Sequence, residues 1–244
     1  MLKFLFRIIY SVPLSCIFLI SFLSVSCVNM IIDDKKEFEW ELKYSHPIVI
    51  HYRGANFSNY ASPNLTEIND IINNQMFYYY AIQDSINRYF NEIIMIYLYN
   101  LDESSKKIGT NYGGHSIPLY NTFYYSFFRL DSDYVDKYGI INPFLGAHEM
   151  AHVITHKLLG MPGTKLMSEG YANWLDGGYS KYSIIDILKY YRDNESYKVI
   201  DPITLLLDES LEDSVYYPNV GVFIGFLINT YGVESVNSLF TVER

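Results

Sequence analysis

Apolar and polar residues alternate along residues 38–52, the two-residue period of a strand with one buried face, and the run stops at Arg53-Gly54. Ile71, Ile72, Phe77, Tyr78, Ile82, Ile86 and Phe90 then recur at helical spacing, which predicts a helix over residues 68–90. Residues 93–101 and 123–128 are dense in β-branched and aromatic side chains and read as buried strands. Beyond residue 140 the period lengthens again. Helical patterns cover residues 142–160, the stretch after Ser168, and residues 184–191, 204–207 and 222–231. Strands first and helices last predict one α+β unit with two lobes, a mixed sheet with helices followed by a mostly helical part.

The helix over residues 142–160 carries the candidate chemistry. Asn142 is a favoured N-cap and Pro143 suits the first helical position, while Gly160 and Pro162 mark the end. Its middle then holds His148-Glu149-Met150-Ala151-His152. Residues four apart lie on one helical face with Cβ atoms about 5–6 Å apart, so His148 and His152 can reach one zinc ion. Glu149 is placed to serve as general base toward water. A third ligand is required. Thr155 and Leu158 stand where a metzincin would have glycine and histidine, so that route is rejected. His156 lies a further turn along and reads as a pocket-wall or surface histidine. Glu169 follows after sixteen intervening residues, with Ser168 as the N-cap of the next helix. Taken by itself, Glu169 reads either as a ligand or as a solvated first-turn glutamate.

The His-Glu-x-x-His motif joined to Glu169-Gly170-Tyr171-Ala172 resembles the gluzincin, or peptidase MA-like, superfamily of zinc metallopeptidases. The likeness in motifs spans residues 112–240. It implies a zincin-like two-lobed α+β domain, one zinc ion held by His148, His152 and Glu169, and Glu149 as the base in hydrolysis. It also implies a downstream tyrosine that donates to the oxyanion, for which Tyr217 is the first choice and Tyr216 the reserve. Asn173, four residues after Glu169, is a candidate partner for a ligating imidazole. Tyr112-Gly113-Gly114-His115-Ser116-Ile117-Pro118 reads either as an edge strand for an extended peptide or as an ordinary turn. It lacks the glutamate by which related zinc aminopeptidases hold an amino terminus, which shifts weight toward an endopeptidase or an unfamiliar specificity.

Composition sets the compartment. Lys3 and Arg7 precede an almost wholly apolar run over residues 8–25, and no acidic residue occurs before Asp33. Residues 1–27 are therefore expected to be an export signal, followed by a single domain over residues 28–244. Ser24-Val25-Ser26-Cys27 resembles a bacterial lipobox, so lipid on Cys27 would tether the chain to the cell envelope. A simple cleaved signal and an uncleaved anchor are the other two readings. Both cysteines, Cys16 and Cys27, fall in this leader, so the domain has no disulfide. The chain carries 18 Lys and Arg against 27 Asp and Glu, a net charge of −9, and two of the basic residues lie in the leader. That balance argues against nucleic acid and against electrostatic docking on anionic lipid, leaving a peptide or protein substrate as the expected partner. Asn56-Phe57-Ser58, Asn64-Leu65-Thr66 and Asn194-Glu195-Ser196 fit glycosylation sequons, which carry no weight in a bacterial export. Three readings of function follow: a zinc metallopeptidase, an inactive binding protein on a peptidase-like scaffold, and a zinc hydrolase of a non-peptide bond.

Overall fold

The computed structural model describes residues 40–53, 63–100, 114–127, 146–179, 182–194, 200–208 and 210–242. The leader with Cys16 and Cys27, the pair Asn142-Pro143, and Tyr112-Gly113 lie outside the described residues. Glu41–Arg244 form one compact unit; of Met1–Trp40, only Trp40 is described. The described residues are mixed α+β, with a five-stranded mixed sheet, a two-stranded ribbon and seven α-helices.

Strand β1 (Trp40–Ser45) and strand β2 (Ile48–Arg53) replace the single strand expected over residues 38–52. Pro47, which has no N–H for a ladder, falls in the two-residue connection between them. Helix α1 (Leu65–Ile86) follows, then β3 (Ile94–Asn100), β4 (Gly114–Ile117), a 3₁₀ turn at Pro118–Tyr120 and β5 (Thr122–Phe127). The sheet order is β1-β2-β3-β5-β4, with β2, β3 and β5 parallel and β4 antiparallel to β5 at the edge. Ile50, Ile96 and Phe123 lie opposite one another across three strands and are fully buried. Burying each such side chain contributes roughly 1.5–3 kcal/mol.

Helix α1 starts three residues earlier than its apolar period indicates. The Asn64 side chain accepts from the Glu67 N–H at 3.0 Å, and the Asn64 N–H donates to Glu67 Oε2 at 2.7 Å. This reciprocal capping box gives Asn64 a structural use that a sequon reading misses. Asn87, at φ 52°, ends the helix in the left-handed region, before the expected Phe90.

The second half is helical: α2 (His148–Leu159), α3 (Lys165–Asp176), the ribbon β6–β7, α4 (Ile184–Asp193), α5 (Pro202–Leu207), α6 (Asp213–Tyr231) and α7 (Val233–Asn237). Helix α2 packs on β4, β5 and α1, while α3 packs on α2 and α6. The α3–α6 crossing is close because Gly170 meets it: a Cβ there would sit 2.5 Å from Ile224 Cγ1. Helix α6 begins before Pro218 and runs through it, although the sequence pattern places its start at residue 222. Pro218 has no N–H for the Ser214 carbonyl, and the Tyr191 hydroxyl supplies that hydrogen bond at 2.8 Å. Asn237 accepts from the Tyr171 hydroxyl at 2.9 Å and donates to the Ile86 carbonyl at 3.0 Å, tying α3 and α1 to the C-terminal turn.

Candidate metal centre

The motif opens α2 at its first residue, not in mid-helix as the expected span over residues 142–160 would have it. Ala147 is the N-cap residue and supplies no side-chain acceptor. The acceptor comes from another helix. Asp176, the last residue of α3, takes the Ala147 N–H at 2.5 Å, and a hydrogen bond from the His148 backbone as well. Gly146 makes room for it, since a Cβ there would lie 2.5 Å from Asp176 Oδ1. Gln75 of α1 donates to the Gly146 carbonyl at 3.4 Å. Gly160, at φ 98°, closes the helix as expected, with its N–H on the His156 carbonyl.

Helix α3 begins at Lys165, capped by the Thr164 hydroxyl on the Met167 N–H at 3.2 Å. Ser168 is therefore inside the helix and does not cap it. Its hydroxyl lies 3.3 Å from His152 Nδ1 and 3.4 Å from His156 Nε2. Asn173 does not reach an imidazole. It bonds back to the Glu169 carbonyl at 2.8 Å and lies beneath Gly221 of α6.

His148, His152 and Glu169 converge. The Nε2 atoms of the two imidazoles are 3.2 Å apart, and Glu169 Oε2 lies 3.3 Å from His148 Nε2 and 3.5 Å from His152 Nε2. Zinc bonds of about 2.0–2.1 Å in a tetrahedron give ligand separations of about 3.3 Å, so this triangle matches one face of a zinc polyhedron. Glu169 Oε2 is buried, yet no N–H or O–H is aimed at it in hydrogen-bonding geometry. Three electron-pair donors facing one point, with one buried oxygen otherwise unsatisfied, fit a cation. The side chain of His148 is 24% exposed against 7% for His152, so the open side of the triangle lies toward His148.

The carboxylate and the two imidazoles are electrostatically coupled. Burial would raise the Glu169 carboxyl, but the imidazoles of His148 and His152 hold it well below the usual range. Burial would lower His148, but the Glu169 contact and the charges of Glu149, Glu169 and Asp176 outweigh it and raise the imidazole above its ordinary value. Burial, helped by the neighbouring His152, pushes His156 down to about 4. Burial raises the Asp176 carboxyl against the hydrogen bonds it accepts.

Glu149 extends beneath the sheet edge. A Cβ on Gly114 of β4 would sit 2.5 Å from Glu149 Cγ and 2.6 Å from Tyr125 Cδ2. Burial and the charges of Glu149 and Asp176 push the Tyr125 hydroxyl up to about 12. Among the described residues β4 is the last strand of the sheet on this side, so Gly114–Ile117 is an edge strand. The Tyr217 ring lies 5.8 Å from the His148 ring, whereas Tyr216 is buried in the core with Lys165 over its face. Ser168 and Asp176 join the site although the local sequence pattern marks neither as a site residue. The signal for Asp176 is an acidic residue at a helix C-terminus, where the dipole disfavours it. For Ser168 there is no local signal. No family model matches the chain, and no curated protein matches it.

Proposed function

We propose that the chain is a zinc-dependent hydrolase that cleaves peptide bonds, of gluzincin type, with the sheet and the helices as the two lobes of a zincin-like domain. The observation that carries this reading is the triangle of His148 Nε2, His152 Nε2 and Glu169 Oε2 with Glu149 beside it under an edge strand. A zinc ion in that triangle supplies Lewis acidity toward water and toward a substrate carbonyl. Glu149 takes the proton of the attacking water and returns it to the leaving amine. Tyr217 donates to the oxygen on which negative charge develops. The edge of β4 offers backbone N–H and C=O groups to an extended peptide. Export by residues 1–27, with lipid on Cys27, places the reaction outside the cytoplasm.

The test is a paired measurement on the full chain and its Glu149→Ala variant. Zinc content near one per chain in both, with peptide-library cleavage in the first and a loss of about 10²–10⁴-fold in the second, supports the proposal. Zinc without cleavage in either removes the peptidase assignment. No zinc in either removes the metal centre.

A further inference from the structure

His156 is the histidine of this region that the metal triangle leaves unused, and its position gives it a task. It follows His152 by one turn of α2, with ring centroids 5.7 Å apart, and packs edge-on against Phe240 at 5.9 Å. Its Nε2 does not face the triangle. It meets the Ser168 hydroxyl at 3.4 Å, and the same hydroxyl lies 3.3 Å from His152 Nδ1. One oxygen thus joins the outer nitrogen of a candidate ligand to a second imidazole.

We infer that His156 is a positioning residue: through the Ser168 hydroxyl it fixes the His152 ring in the tautomer whose Nε2 lone pair faces the cation. The inference rests on His148, His152 and Glu169 being a metal centre. A hydroxyl donates one proton and accepts others, so a chain through Ser168 has a direction. In one direction His152 Nδ1–H donates to Ser168, and Ser168 donates to His156 Nε2. That leaves His152 Nε2 unprotonated and able to ligate. In the reverse direction His156 donates to Ser168 and Ser168 to His152 Nδ1, which puts the proton on Nε2 and closes it to a metal. The first direction needs His156 with its proton on Nδ1, so that Nε2 accepts from the Ser168 hydroxyl 3.4 Å away. Ligating imidazoles commonly donate their outer N–H to a carboxylate or a carbonyl. Here Ser168, one residue before Glu169, fills that place, so α3 brings the third ligand and the orienting hydroxyl together.

The experiment is zinc affinity by chelator competition on the full chain, beside the melting temperature of the metal-free protein. Ser168→Ala and His156→Leu are expected to weaken zinc binding by about 10–100-fold. Ser168→Thr keeps a hydroxyl and His156→Gln keeps an acceptor, so both are expected to stay close to the unsubstituted chain. The metal-free melting temperature of Ser168→Ala is expected to match that of the unsubstituted chain. Unchanged zinc affinity in Ser168→Ala overturns the inference while leaving the metal centre in place. So does a loss that Thr and Gln fail to rescue and that follows metal-free stability. If the unsubstituted chain binds no zinc, the metal centre falls and the inference with it. Should His156→Leu fail to fold, the two Ser168 variants decide.

Discussion

Gly114 and Glu149 set the tightest fit beside the triangle, and its consequences are local. A methyl group on Gly114 would sit 2.5 Å from Glu149 Cγ, with Tyr125 Cδ2 closing the other side at 2.6 Å. The glutamate would have to move. Gly114→Ala is therefore expected to lower peptide hydrolysis by about 10²-fold, the scale of a 1 Å misplacement, while zinc content stays at the level of the unsubstituted chain. Loss of zinc in this variant would show that the strand supports the ligands rather than the base. Tyr217→Phe is expected to lower kcat by about 10²–10³-fold with zinc affinity unchanged, as removal of an oxyanion donor does. Equal kcat in both proteins would reduce Tyr217 to a wall of the site. The shared face of His148 and His152 was legible in the sequence because a helix converts a four-residue spacing into one face. Ser168, Gly114 and Tyr125 were not, because each acts across a tertiary contact that no spacing encodes.

Helices α2 and α6 each complete a hydrogen-bond requirement with a side chain from elsewhere in the chain. The Asp176 carboxylate costs α3 about 0.3–1 kcal/mol at its C-terminal end and serves α2 at its N-terminal end. Asp176→Ala is expected to destabilise the metal-free protein by about 0.5–2 kcal/mol, read as a fall in melting temperature, with Asp176→Asn recovering most of it. Matching losses in both variants would mean that charge matters more than the accepted N–H. In α6, Tyr191→Phe strips the Ser214 carbonyl of the donor that Pro218 denies it, at a cost of about 1–3 kcal/mol. In a Pro218→Ala background that cost is expected to shrink, and a double-mutant cycle measures the difference. Additive effects would exclude the compensation. The existence and type of α1 and α4 were legible from periodicity, and those of β3 and β5 from β-branched and aromatic content, while several ends were not. Residues 38–52 broke into a hairpin at Pro47. Helix α2 started later than Asn142-Pro143 indicated, because its cap lies 29 residues away at Asp176.

For the molecule as a whole, ligand binding and folding are linked. A ligand at 100 times its dissociation constant stabilises the folded state by about 2.7 kcal/mol, so zinc is expected to raise the melting temperature and a chelator to reverse the rise. Glu169→Gln is expected to show a smaller rise, and an equal rise in both proteins would place the ion elsewhere. The succession of strands then helices was legible along the chain. The sheet order was not, since nothing in residues 114–127 states that β5 runs beside β3 and leaves β4 outside. That order has a practical outcome. All three candidate metal ligands come from α2 and α3, neighbours in sequence, whereas the roof over Glu149 comes from β4, the last strand of the sheet among the described residues. On the proposed reading, possession of the ion and use of it would thus depend on different stretches of polypeptide, and damage along the sheet's rim would leave a loaded but idle protein.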